Sequence, residues 1–170
     1  RFVKRNDEYF DKYKIKTSLI EHDGILEFRK APLTDEAYDH LLNMYNSQNK
    51  LIESFPLLKI CSCKLLDNKE ISFEYVEGKT LTEIISNAVD NGDKDKVLEI
   101  LSLFKSLIYN NENICSFKMT DEFRNIFGDC SQFEGVEALK FTSLEILPNN
   151  IIFDGKDYVL IDYEWCVDFP

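Results

Sequence analysis

Asp162 follows Asn150 by twelve positions, and the stretch between them reads as a short hairpin. Asn150 to Phe153 and Tyr158 to Ile161 have strand character, and Asp154-Gly155 between them is a strong tight-turn signal. A hairpin returns the chain to its starting point, so the residue that opens one strand and the residue that ends its partner must meet. An amide oxygen then lies beside a carboxylate, a donor pair suited to a hard divalent cation that keeps several of its waters. The bland alternative is an asparagine in a turn and an aspartate capping a strand.

The chain ahead of this hairpin has two characters. From Lys14 to Ile20 and from Ile25 to Lys30 the pattern is that of strands, joined by His22-Asp23-Gly24 with its Asp-Gly hairpin signal. Pro32 ends the second strand, and Thr34 is placed to cap a helix carrying Ala37, Leu41, Leu42, Tyr45, Leu51 and Ile52 at helical spacing, closed by Pro56. Leu57 to Leu66 and Ile71 to Val76 again read as strands around Asp67-Asn68-Lys69. Beyond Gly78 the period changes: Leu81, Ile84, Ile85 and Ala88 mark one helix, and Val97, Ile100, Leu101, Phe104, Leu107 and Ile108 a second, separated by Asn91-Gly92-Asp93. The expected fold class is α+β with two lobes, residues 1–77 as a small antiparallel sheet with one helix and residues 78–170 as a mostly helical part ending in an isolated hairpin.

Composition narrows the partners. Hydrophobic residues make up 44% and aromatics 13% of the 170 residues, enough for a packed core, and no apolar run is long enough to span a bilayer. A formal charge of -11 repels phosphate backbones and anionic lipid surfaces, so nucleic acid is not an expected partner. A nucleotide triphosphate is repelled by the same field, and binding one requires a local lysine and a divalent metal. The five cysteines, at 61, 63, 115, 130 and 166, are odd in number and lack paired Cys-x-x-Cys spacing, which points away from a disulfide framework or a zinc site and toward a reduced, cytoplasmic setting. Cys61 and Cys63 share one strand face and read as packing residues. His22 and His40 have no nucleophile arranged beside them and read as incidental. The absence of an initiator Met, the polar start at Arg1 and the abrupt end at Pro170 suggest an excised fragment without a signal peptide.

Leu144-Glu145-Ile146-Leu147-Pro148-Asn149-Asn150, followed by the hairpin and Ile161-Asp162-Tyr163-Glu164, resembles the catalytic loop and metal-binding signature of the protein-kinase superfamily. There an acid is followed five residues later by Asn, often with Pro between, and then by a hairpin ending in Asp. The resemblance implies that Asn150 and Asp162 hold magnesium and that Glu145 orients the acceptor hydroxyl. Glu145 stands where the family usually has Asp, and Ser143 and Leu144 stand where a His is usual. A surface glutamate in an inactive relative is the competing account of Glu145.

Lys30 closes a strand on which Leu26, Phe28 and Lys30 share a face, so a cation projects from an otherwise apolar side. In kinases a lysine on this strand contacts the α- and β-phosphates of ATP and pairs with a helix glutamate. Glu36 is the first candidate for that partner and Glu53 the second; a solvated strand-end lysine is the plain alternative. Phe73-Glu74-Tyr75-Val76-Glu77-Gly78 resembles the hinge of aminoglycoside and choline kinases, which implies that backbone groups at Tyr75, Val76 and Glu77 meet the adenine edge. A Gly-rich phosphate loop is missing, since Asn6 to Thr17 holds no glycine. Lys12, Lys14 and Lys16 either substitute for it or form a solvated edge that discourages strand pairing.

Ile161-Asp162-Tyr163-Glu164-Trp165 and Phe123-Arg124-Asn125-Ile126-Phe127-Gly128 look like segments of kinase-like modules attached to bacterial polysaccharide methyltransferases and glycosyltransferases. Trp165 on its own reads as a core or interface residue. The resemblance as a whole implies an ATP- and magnesium-dependent phosphotransferase acting on a hydroxyl of a sugar, glycan or other small molecule, with an attached glycan-modifying domain as a further expectation. Its rival is a pseudokinase that binds nucleotide or a partner and scaffolds such an enzyme.

Overall fold

The computed structural model describes residues 3–5, 9–109 and 111–168. Arg1, Asn6 and Pro170, on which the expectations about the chain ends and the start of the glycine-free segment rest, lie outside these residues. In chain order the elements are β1 (Val3–Arg5), β2 (Ile15–His22), β3 (Ile25–Pro32), α1 (Ala37–Ser54), β4 (Lys59–Ile60), β5 (Cys63–Leu65), β6 (Ile71–Glu74) and β7 (Lys79–Thr80). There follow α2 (Leu81–Asp90), α3 (Lys94–Ile108), β8 (Ile114–Ser116), α4 (Asp121–Phe127), β9 (Glu137–Leu139), β10 (Thr142–Ser143), β11 (Ile151–Phe153), β12 (Tyr158–Leu160) and β13 (Cys166–Val167). The fold class is α+β.

The first sheet has the order β1-β2-β3-β6-β5. Asp23 and Gly24, at φ of 53° and 77°, form the two-residue turn between β2 and β3, where positive φ at both positions matches the right-handed strand twist. β3 is central, with Lys30 opposite Thr17 on one side and Ile71 on the other. Helix α1 starts after Thr34, whose Oγ1 accepts the Ala37 N–H at 3.2 Å. Ala37, Leu41, Met44 and Leu51 form its fully buried stripe. The strand expected to start at Lys14 begins instead at Ile15, because residues 11–13 make a 3-10 turn and Lys14 pairs with Asp11 at 2.8 Å.

Two expectations about strands are corrected. The run Leu57 to Leu66 is not one strand but two that serve different sheets. Cys63 and Leu65 pair with Phe73 and Ile71 in the first sheet, while Lys59 and Ile60 run parallel to Val159 and Leu160. The Cys61 N–H extends that second ladder to the Leu160 carbonyl at 2.9 Å. An alternating apolar pattern states that a segment is extended and not which edge it joins. The late hairpin is likewise not isolated: it is the centre of a four-stranded sheet, β4-β12-β11-β7. The first sheet and the hairpin are thereby stitched together by residues 59–65, on the near side of the boundary expected at Glu77-Gly78.

Helix α2 opens with a full capping box: Thr80 Oγ1 accepts the Glu83 N–H at 3.1 Å, and Glu83 Oε2 accepts the Thr80 N–H at 2.7 Å. Asp93 Oδ1 caps α3 by accepting the Lys96 N–H at 2.9 Å. Among the described residues no helix is long and apolar enough to cross a membrane.

Gly78 permits the tight passage from β6 into β7. A side-chain carbon there would strike the Phe153 carbonyl oxygen and the Ile152 side chain, both on the neighbouring strand β11. Backbone that is held by a ladder cannot retreat cheaply. Gly78→Ala should therefore destabilise the fold by about 2 kcal/mol or more. The measurement is a urea titration, in which the midpoint falls at unchanged slope.

Candidate functional site

The strand alternation that aims Phe28 inward aims Lys30 inward too, and Lys30 ends 4% exposed. A buried ammonium needs partners, and two carboxylates supply them. Nζ donates to Asp162 Oδ1 at 2.8 Å and to Glu164 Oε1. Burial alone drives the lysine toward neutrality, but the facing carboxylates of Asp162 and Glu164 outweigh it and hold its pKa above the ordinary lysine value. Glu164, 6% exposed, is pushed upward by burial, and the facing His40 and Lys30 more than reverse that.

The helix acids have no part in this cluster. Glu36 is exposed just before the first turn of α1, and Glu53 is exposed near its end. What α1 brings to the cluster is His40. Its side chain is only 7% exposed, its Nε2 lies 3.8 Å from Glu164 Oε2, and its ring packs between Tyr13 at 5.1 Å and Trp165 at 4.8 Å. His40 is therefore not incidental, and a signal was present: it sits on the same helix face as Ala37, Leu41 and Met44. Glu164 was equally visible as an acid two residues after Asp162, but nothing in the sequence says that it turns inward.

The hairpin brings Asn150 and Asp162 together as its spacing predicts. Ile151 pairs with Leu160, and the Ile161 N–H donates to the Asn150 carbonyl at 3.0 Å. Asn150 Nδ2 donates to the Glu145 carbonyl at 3.0 Å, which closes the loop and turns Oδ1 away from that bond; Asn149 Nδ2 reaches Oδ1 at 3.2 Å. The Asp162 side chain keeps a third of its surface. Among the described residues no group of three or more His, Cys, Asp or Glu could hold a metal unaided. Asn150 and Asp162 fit a hard cation that completes its shell with water and with oxygens of a bound ligand.

Glu145 lies beside the same acids. Its Oε2 accepts the N–H of Glu164 and, at 3.2 Å, that of Trp165. Burial first, then the neighbouring charges of Asp162 and Glu164, push its carboxyl up to about 7. A carboxyl at that value exchanges its proton near neutral pH.

A cavity opens between the sheet and the hairpin. Phe28, Phe73, Val76 and Ile161 give it apolar walls, and Thr17, Lys30, Glu74, Asn150 and Asp162 contribute its polar groups. Beyond Glu74 the strand ends, so the peptides of Tyr75, Val76 and Glu77 lie outside both ladders. Val76 faces the cavity, whereas the Tyr75 ring stacks on Phe28 at 6.0 Å and Glu77 is exposed. Cys61 and Cys63 are buried as expected, and burial pushes the Cys61 thiol up to about 11. Of the basic residues before β3, Lys12 Nζ sits 4.8 Å over the Tyr13 ring and Lys14 pairs with Asp11.

No protein-family profile and no curated protein matches the chain. Among solved structures, a macrolide 2'-phosphotransferase from Brachybacterium faecium, as the apoenzyme, aligns at a TM-score of 0.47 and 10% identity. The alignment covers 96% of this chain and 66% of that one, so the chain spans just under two thirds of its length. At that score and identity the likeness assigns no role to any residue here.

The raised carboxyl of Glu145 fixes a pH dependence. The folded state holds this proton more tightly than the unfolded chain, so the stability it contributes is complete below the ordinary value of 4.5 and is lost as pH rises through about 7. Glu145→Gln removes that titration. Its melting temperature relative to the parent should rise by a few degrees between about pH 5 and about pH 8. A difference that is flat across this range would show that the carboxyl is not perturbed.

Proposed function

We propose that the chain binds a nucleoside triphosphate with magnesium and transfers its γ-phosphoryl group to a hydroxyl of a small molecule. The observation that carries this reading is the meeting of Lys30, Asn150 and Asp162 at one end of the chain's hairpin, in the same apolar-walled cavity. Apolar walls suit a purine, and the peptides of Tyr75 to Glu77, which lie outside both ladders, offer donors and acceptors to its edge. Lys30 has three donors, of which Asp162 and Glu164 take two, leaving one for a phosphate oxygen.

Asn150 and Asp162 would hold magnesium, which supplies charge neutralisation for the phosphates. Lys30 adds a fixed positive charge that costs no reorganisation during reaction. Glu145 accepts the proton of the attacking hydroxyl as its oxygen bonds to the γ-phosphorus and the bond to the bridging oxygen breaks, releasing the nucleoside diphosphate. Its carboxyl near neutrality suits that exchange. The acceptor class proposed is a sugar or glycan hydroxyl, supported by the resemblance of Ile161 to Trp165 to glycan-associated modules; Glu36 has no role in it.

One observation favours a second reading. Glu145 Oε2 is already engaged by two backbone N–H groups, a use that needs no substrate. A nucleotide-binding module that regulates or scaffolds an attached glycan-modifying enzyme would use Glu145 in this way alone.

Incubation with ATP, magnesium and a panel of free sugars separates the two. An active phosphotransferase forms ADP with at least one acceptor, and Glu145→Gln lowers that rate by about a hundredfold or more. Binding of ATP without ADP formation in any mixture would favour the scaffold, and ADP formation unchanged in Glu145→Gln would remove Glu145 from the chemistry.

A further inference from the structure

His40 Nε2 is buried and, among the described residues, has no hydrogen-bond partner. Such an atom is costly to leave alone, and the ring that carries it is not free to turn aside, because Tyr13 and Trp165 pack on it at 5.1 and 4.8 Å. It faces Glu164 Oε2 at 3.8 Å, beyond hydrogen-bond length but short of any intervening group. The other oxygen of the same carboxylate accepts from Lys30. Glu164 thus stands between a helix and a strand, with one oxygen turned to each.

We infer that His40 and Glu164 are positioning residues that tie helix α1 to Lys30 and set where its ammonium meets a ligand phosphate. This rests on the phosphate-binding role of Lys30 proposed above. A shift of α1 by about 1 Å toward Glu164 completes the His40 bond. That bond holds the Glu164 carboxylate, which in turn holds Nζ. The tie comes from a histidine on the helix and an acid that follows Asp162, so α1 needs no glutamate of its own to reach the lysine. Other charged groups facing this cluster are Asp162, through Lys30, and Glu145, through the Glu164 N–H.

Two measurements on the full chain test it. Calorimetric titration with MgATP and, separately, with adenosine is made on the parent, His40→Phe and Glu164→Gln. Both variants keep a side chain of similar shape. The tie predicts about tenfold weaker MgATP binding in each variant, with adenosine affinity unchanged. Equal losses for both ligands would mark His40 as mere packing, and no loss for either would also overturn the inference. Unfolding midpoints of His40→Phe, Lys30→Met and the double variant are compared alongside. Non-additive effects support the tie, and additive effects overturn it whether or not nucleotide binds. Non-additivity in a chain that binds no MgATP would overturn the nucleotide reading and the phosphate role while leaving the side-chain tie in place.

Discussion

An ammonium group buried in the middle of a sheet cannot be left unpaired, and the chain meets that constraint from far away in sequence. Lys30 lies on a central strand of the first sheet, while its partners Asp162 and Glu164 lie more than 130 residues later, just after the hairpin of the second sheet. Breaking such a pair costs about 3 to 5 kcal/mol, because it leaves an uncompensated buried charge. The rest of the architecture serves this meeting. Residues 59–65 pair with both sheets, and Tyr163, between the two acids, is fully buried and donates its hydroxyl to the Cys61 carbonyl at 2.8 Å. Removing either link would let the acids drift from the lysine.

The charge balance of the site sets what it can receive. Glu145, Asp162 and Glu164 surround a single lysine in a chain whose formal charge is already -11. A phosphate chain entering this field is repelled unless a divalent cation enters with it, and Asn150 and Asp162 are the oxygen donors that would retain that cation. Burial first, and this crowding second, explain why Glu145 holds its proton to about 7. On the proposed reading, acidity that would exclude a bare anion makes an accompanying metal necessary.

Much of this was legible in the sequence because local rules suffice for it. Asp23-Gly24 and Asp154-Gly155 specify hairpins; the spacing of Asn150 and Asp162 follows from one of them; Thr34 announces a helix start; alternation along β3 turns Lys30 inward. What the sequence withheld depends on contacts between distant elements. Nothing local divides Leu57 to Leu66 between two sheets. Nothing local distinguishes Glu164, which turns inward, from Glu36, which remains in solvent. His40 lies on the buried stripe of α1, but its value comes from a carboxylate 124 residues away, and helical spacing alone gives a histidine there no more meaning than a leucine.

Whether Asp162 joins Lys30 to a metal-bound phosphate chain is tested most directly by thermal unfolding of the parent and of Asp162→Ala, with and without ATP and magnesium. A ligand at about 100 times its dissociation constant adds about 2.7 kcal/mol to the folded state, a shift of several degrees. The parent should show that shift only when magnesium is present, and Asp162→Ala, whose lysine keeps Glu164, should fold and lose it. An equal shift in both proteins, or none in the parent, would contradict the assignment of this cavity to a nucleotide.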